Sequence, residues 1–275
     1  MDEPKPEIFF HVGLGKTAST YLQHSVFPYF KDINYIPTNR YKKSLDIIEN
    51  GTSKKYLVSR EFDRQFEDEV KWFCAVHPDA HIIVVFRRQD KWIASQYKRH
   101  VKGGFYKEFV DFIDIDNNQG FWDRKEMIFM DKIRVIEKYS TQKPLILFHE
   151  DLSDPYNFID LIAKYCGASY SRKAVSVKPR HTAWKEKQLH AVKFFRKHVY
   201  KGEIKGGKNR LETWLYFRPW WLLFHLIMYF AVLLPKKWVI KKPLIQESDL
   251  EKVREWTHKD WSDLKAYAEK NNPKL

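Results

Sequence analysis

Residues Ile8–Val12 form a short apolar run of β character, and Gly13-Leu14-Gly15-Lys16-Thr17 follows with no spacer. A helical pattern begins directly afterwards: Tyr21, Leu22, Ser25 and Val26 are spaced along one face, and Pro28 stops it. Strand, tight glycine turn and helix in this order leave few folds open. The turn exposes the first N–H groups of the helix and the positive end of its dipole. Gly13, Gly15, Ala18 and Ser19 are small enough to let a ligand approach the backbone, Lys16 adds a charge, and Thr17, Ser19 and Thr20 add hydroxyl donors. Chemically this is a cradle for a phosphate-like anion. Gly-Lys-Thr after a strand also opens helices that hold nothing, so the turn needs support from elsewhere in the chain.

Further β-like runs occur at Tyr56–Ser59, His81–Phe86 and Leu145–Phe148, separated by helical patterns over Asp63–Ala75, Asp90–Val101, Trp122–Tyr139 and Tyr156–Cys166. Alternating strands and helices predict a parallel sheet covered on both faces, a three-layer α/β/α domain with ligands at the carboxyl ends of its strands. With 44% hydrophobic and 16% aromatic residues, the chain can fill such a core and is not disordered. No linker or repeat marks a boundary. The expectation is therefore a single domain over 1–275, with a core at about 7–167 and a helical, basic C-terminal part at about 168–275.

The last third changes character. Between Arg172 and Arg210 there are 13 basic residues and two acidic ones, within a chain of net charge +14. That excess favours an anionic partner without choosing among nucleotide, acidic glycan, nucleic acid and lipid. Helix Trp184–Lys197 is amphipathic, and Ser248-Asp249-Leu250-Glu251 reads as the capping box of a final helix. The stretch Pro219–Leu234 is apolar but short for a span of about 20 residues, and it contains His225. A buried helix is the first expectation; the second is peripheral membrane contact through 219–238, with Trp and Lys as anchors. The first residues are acidic and lack the apolar stretch of a signal peptide, so a cytoplasmic location is expected. Cys74 and Cys166 are expected to be buried thiols.

A triphosphate-binding Walker A loop needs a glycine five residues before Gly15, and that position is Phe10, inside the strand. The loop is too short to wrap a triphosphate. The second informative element follows strand His81–Phe86: Arg87 ends the strand and Ser95 comes eight residues later, a little over two helical turns on. Arg87 can grip a phosphate with two N–H groups, and Ser95 can donate from the adjoining helix.

Lys16-Thr17-Ala18-Ser19-Thr20 resembles the 5′-phosphosulfate loop of sulfotransferases that use 3′-phosphoadenosine-5′-phosphosulfate (PAPS). Arg87 with Ser95 is similar to that family's pair for the cofactor 3′-phosphate, at the same spacing. The segment Pro144–Gly167 resembles the family's stretch after a later strand, so the likeness covers roughly Ile8–Gly167. It departs at Arg88-Gln89, where many members have Asn-Pro, and at Ala18, where glycine is frequent. The resemblance, nearest to the bacterial and carbohydrate-type enzymes, implies a fold related to P-loop kinases and transfer of a sulfuryl group from PAPS to an acceptor hydroxyl. It implies no requirement for a metal. It assigns Lys16, Thr17, Ala18, Ser19 and Thr20 to the phosphosulfate, Arg87 and Ser95 to the 3′-phosphate, and Glu61 to the catalytic base, with Lys16 also catalytic. A third cofactor contact is expected near Lys178 or Arg180. The acceptor would be a small molecule, an acidic saccharide or a lipid-linked hydroxyl, and no nucleic acid is expected. A small-molecule kinase and a basic nucleic-acid-binding protein remain the alternatives.

Overall fold

The computed structural model describes residues 5–177, 184–200, 209–240 and 242–274. Five strands form one parallel sheet: β1 (Glu7–Leu14), β2 (Asn34–Ile36), β3 (Lys55–Phe62), β4 (His81–Phe86) and β5 (Leu145–Phe148), in the order β2-β3-β1-β4-β5. In β1, β3, β4 and β5 consecutive residues are buried rather than alternate ones, as in strands covered on both faces. Phe9 pairs with Leu57 on one side and His81 on the other, which puts β1 at the centre of the sheet.

Helices cover both faces. Phe9, Leu57, Ile83, Val85 and Leu145 share a cluster with Leu22 and Val26 after the glycine turn and with Phe158, Ile159 and Ile162 of helix Pro155–Tyr165. On the other face Phe10 packs against Phe73 of helix Phe66–Cys74, ring centroids 4.1 Å apart, and Phe86 against Phe129 of helix Phe129–Tyr139 at 4.9 Å. This is the expected three-layer α/β/α fold. Cys74 and Cys166 are buried free thiols in these layers. The outer edge of β5 is covered as well: the Asn272 side chain accepts from Ile146 N–H at 2.9 Å and donates to its carbonyl at 2.8 Å. A single amide thus takes the place of a neighbouring strand.

Several bounds differ from those read off the sequence. β3 continues to Phe62, so Glu61 lies within the strand rather than after it. β2 has only three residues, too few for its period to show. Helix Trp122–Tyr139 resolves into a short 3₁₀ turn, Arg124–Met127, and helix Phe129–Tyr139. The final helix starts at Glu247, so Ser248 lies inside its first turn and is not its cap.

The chain divides into two compact units, one comprising Met1–Trp92, Glu126–Arg180 and Thr257–Leu275, the other Ile93–Lys125 and His181–Trp256. The first holds the sheet. The second is helical and built around an aromatic nest in which Tyr97, Phe109, Phe112 and Trp122 are buried. In that unit Lys193 of helix Glu186–His198 donates to Tyr97 Oη at 3.0 Å and Glu108 Oε2 at 2.7 Å. Burial lowers the Lys193 pKa, while the Glu108 pKa stays below the usual range because Lys193, Lys242 and Lys197 together outweigh its desolvation.

Helix Arg210–Leu233 of the second unit corrects the expectation of a short buried helix at Pro219–Leu234. It begins well before Pro219, which sits inside it, because Asn209 caps the true start by accepting from Glu212 N–H at 2.8 Å. Over Trp214–Leu233 only 17% of the residues are buried, and among the described residues this is the one helix long and apolar enough to cross a membrane.

Candidate functional site

The carboxyl ends of β1, β3, β4 and β5 lie side by side, so Gly15, Asp63, Arg87 and His149 leave the sheet along one rim. Strand order runs outward from β1 in both directions, the arrangement that leaves a crevice for ligands in open α/β sheets. Gly13 is the first constraint on the turn. A Cβ there would lie 2.2 Å from Ser19 Oγ and 2.8 Å from Ser19 Cβ, so only glycine lets the helix start fold back onto the strand. Lys16 and Ala18 both adopt left-handed backbone, φ 71° and 70°, which residues with a Cβ seldom do. Strain at two positions in one turn accords with a loop shaped for binding.

Side chains hold this strained loop in place. Thr17 Oγ1 and Ser19 Oγ both donate to the Leu14 carbonyl, at 2.7 and 3.1 Å. Trp92 Nε1–H donates to the Gly15 carbonyl at 2.7 Å, and Gly15 N–H donates to Asp63 Oδ1 at 3.2 Å. Thr17 and Ser19 are buried, whereas Lys16 and Thr20 are exposed at the mouth of the turn. The helix that follows is irregular. Ser19–Tyr21 is α-helical and Leu22–Val26 is a π turn, a form that recurs at functional sites.

Arg87 leaves β4 toward this loop and donates through Nη1 to the Lys16 carbonyl at 3.4 Å. Its Nε is buried with no hydrogen-bond partner among the described residues. Burial pushes the guanidinium pKa below its usual value, with Glu150 and Asp90 pulling the other way. Arg88 is occupied elsewhere, in a bidentate pair with Asp90 at 2.7 Å on each arm. Gln89 donates to Asp260 Oδ2 at 2.7 Å, and Asp260 also accepts from Phe129 and Met130 N–H. Arg88-Gln89 therefore fastens the start of the next helix and leaves Arg87 as the arginine at the loop.

Glu61 is the register partner of Gly13 across the β1–β3 ladder, half-buried one strand away from the turn. Beneath it lies a polar group that sequence reasoning missed. His11 is fully buried in β1, with Nδ1 2.8 Å from Ser59 Oγ, and Gln23 Nε2 donates to the same oxygen at 3.1 Å. Burial lowers the His11 pKa to about 3, so the ring is neutral at ordinary pH. The one available signal was an ionisable residue inside an otherwise apolar strand. Asp63 and Trp92 were missed too, since each reads locally as an ordinary first-turn helix residue. A cavity of about 800 Å³ opens beside this group, lined by Gln23, His24, Tyr35, Thr38 and Arg40. Thr38 ties it to β3 by donating to the Ser59 carbonyl at 3.1 Å and accepting from Arg60 at its own carbonyl at 3.3 Å.

The structure thus brings Lys16–Thr20, Glu61 and Arg87 to one rim. Ser95 is half-buried on helix Gln89–Lys102 and belongs to the second unit. Lys178 and Arg180 lie outside the described residues.

No protein-family model matches the chain, and no curated protein matches it. Among solved structures its fold is similar to that of the "Crystal Structure of Sulfotransferase from Alicyclobacillus acidocaldarius", with 11% identity and a TM-score of 0.50, over 80% of this chain and 100% of that one. At this identity the likeness is one of fold. The chain has a sulfotransferase-like α/β/α fold, with a strained, cation-bearing turn on the rim formed by the carboxyl ends of its strands.

Proposed function

We propose that the protein is a sulfotransferase that moves a sulfuryl group from PAPS to an acceptor hydroxyl and releases adenosine 3′,5′-bisphosphate. The observation that carries this reading is the meeting of the Lys16–Thr20 turn with Arg87 at the ends of neighbouring strands. The residues present suit such a donor: a turn that Gly13 allows to close, an exposed Lys16, and a half-buried Arg87 whose buried Nε has no partner among the described residues. When bound, the donor supplies an activated sulfuryl group on a phosphate leaving group.

The chain's own residues then have distinct tasks. The N–H groups at Ser19–Tyr21 and the Lys16 ammonium stabilise negative charge at the mouth of the turn. Arg87 offers a planar pair of donors to a second phosphate. Glu61 takes the proton of the acceptor hydroxyl as its oxygen bonds to sulfur and the sulfur–oxygen bridge to the phosphate breaks. The cavity lined by Tyr35, Thr38 and Arg40 receives the acceptor, a hydroxyl-bearing saccharide, small molecule or lipid-linked compound. Ser95 enters only through its spacing from Arg87 along the chain.

Calorimetric titration with adenosine 3′,5′-bisphosphate, beside ATP with Mg²⁺, tests the reading. Tight binding of the bisphosphate that Lys16→Ala and Arg87→Ala each weaken by about tenfold or more is expected, since each removes a charge-assisted contact. Binding of ATP with Mg²⁺ in its place would transfer the turn to a kinase and overturn the sulfotransferase.

A further inference from the structure

Helix Arg210–Leu233 is apolar almost all the way round, and such helices are buried in a core or in lipid. Among the described residues, only one side is buried. Phe224, Met228 and Ala231 pack inward, and Gln188 of helix Glu186–His198 donates to the Met228 carbonyl at 3.2 Å. The opposite side presents Leu222, Leu226, Phe230 and Leu233 at 48, 54, 66 and 79% exposure. A continuous apolar patch of this kind marks an interaction surface.

Charge indicates what covers it. From Thr213 to Gln246 the sequence has no acidic residue and five basic ones. Arg218 lies over the rings of Trp214 and Trp221, 5.8 and 4.8 Å from their centroids, while Lys236 and Lys237 are exposed beside Trp238 just past the helix end. Aromatic rings with cations at the margin of an apolar face match the boundary between hydrocarbon and anionic headgroups. A second copy of the chain fits poorly, because two-fold pairing of this face would bring only cations together.

We propose that this helix seats the protein on an anionic lipid surface, lying in the plane of the interface with its Leu226–Phe230 side down. A full crossing is disfavoured by the inward side. Helix Glu186–His198 packed there carries Lys187, Lys193, Arg196 and Lys197, and Lys187 Nζ donates to the Val232 and Leu234 carbonyls at 2.9 and 2.8 Å. Taking those cations into hydrocarbon is costly, whereas the in-plane pose leaves them on the water side. The inference is independent of the sulfotransferase reading.

Flotation of the full chain with vesicles is the test, comparing phosphatidylcholine alone with phosphatidylcholine plus phosphatidylglycerol at low and high salt. The wild type should float with the anionic vesicles, less so at high salt. The double variant Leu226→Glu/Phe230→Glu should lose about tenfold or more of that binding, with its thermal unfolding in lipid-free buffer unchanged because both side chains are exposed. Lys236→Glu/Lys237→Glu should lose the preference for anionic over neutral vesicles. Absence of flotation with any vesicle, or flotation that the Leu226/Phe230 variant retains, would overturn the proposal. So would a lipid-free dimer that this variant dissociates, coupled with no flotation, since the face would then join two copies.

Discussion

On the sheet rim the polar groups of the glycine turn are turned inward and tied: Thr17 and Ser19 to Leu14, Gly15 to Asp63 and Trp92. On helix Arg210–Leu233 of the second unit, large apolar side chains are turned outward. In the first region the chain satisfies itself and keeps a strained backbone; in the second it leaves surface for something else to cover. The rim is therefore sensitive to single atoms, and the outer helix face is indifferent to them until its partner is present. Substitutions in each region measure that difference.

The largest effect belongs to Glu61. Glu61→Gln keeps the shape of the side chain at the register position opposite Gly13 but removes the carboxylate we propose as the base. Sulfuryl transfer should fall by about 10²–10⁴-fold, with bisphosphate affinity within about twofold of wild type on calorimetry, because the contacts proposed to hold the cofactor are elsewhere. A loss of binding equal to the loss of rate would make Glu61 a structural residue of β3.

Next comes the inward side of the outer helix. Phe224 is 2% exposed, and its ring lies against Gly104, where an added Cβ would stand 2.8 Å away. Phe224→Ala should cost about 3–5 kcal/mol in chemical denaturation. A cost well under that would mean the helix is loosely held on both of its sides.

Gly13→Ala brings a methyl group against Ser19 Oγ and Cβ, and relief requires moving a buried side chain. About 1–3 kcal/mol of stability should be lost, together with most bisphosphate binding, since the helix start can no longer close on β1. Stability loss alone, with binding intact, would show that the turn tolerates opening. His11 gives the rim a pH signature. Its folded pKa of about 3 lies below the unfolded value of 6.5, so between those values the unfolded chain binds more protons. The His11 contribution is complete above pH 6.5 and is lost as pH falls toward 3. His11→Gln, which can still bond Ser59, should flatten the fall in unfolding free energy over that window.

The contrast between the regions also explains what the sequence made legible. Strand, glycine turn and helix are local, because the backbone at Gly13 and the run Ile8–Val12 constrain each other within a few residues. The parallel sheet followed from continuous apolar runs, and Arg87 from its place at a strand end. The pairings were not local. Asp63 meets Gly15, Gln89 meets Asp260 and Asn272 meets Ile146 across long stretches of chain, and nothing in their neighbours announces it. Asn34–Ile36 was too short to show a strand period. The exposure of the outer helix was illegible for a different reason: an apolar run specifies that a surface must be covered, not that the chain itself covers it.

The smallest expected effect is the most discriminating for that last point. Phe230 lies about one and two-thirds turns from Phe224 on the same helix and is 66% exposed. Phe230→Ala should change unfolding free energy in lipid-free buffer by no more than about 0.5 kcal/mol, as exposed substitutions usually do. An effect approaching that of Phe224→Ala would mean the outer side is packed in solution, by another copy or by residues of this chain, and the division between a self-satisfied rim and an unsatisfied helix would fail. If stability is unchanged while vesicle binding falls, the ring is held by lipid alone. The apolar residues of one helix would then divide by face into those that fold the unit and those that place it.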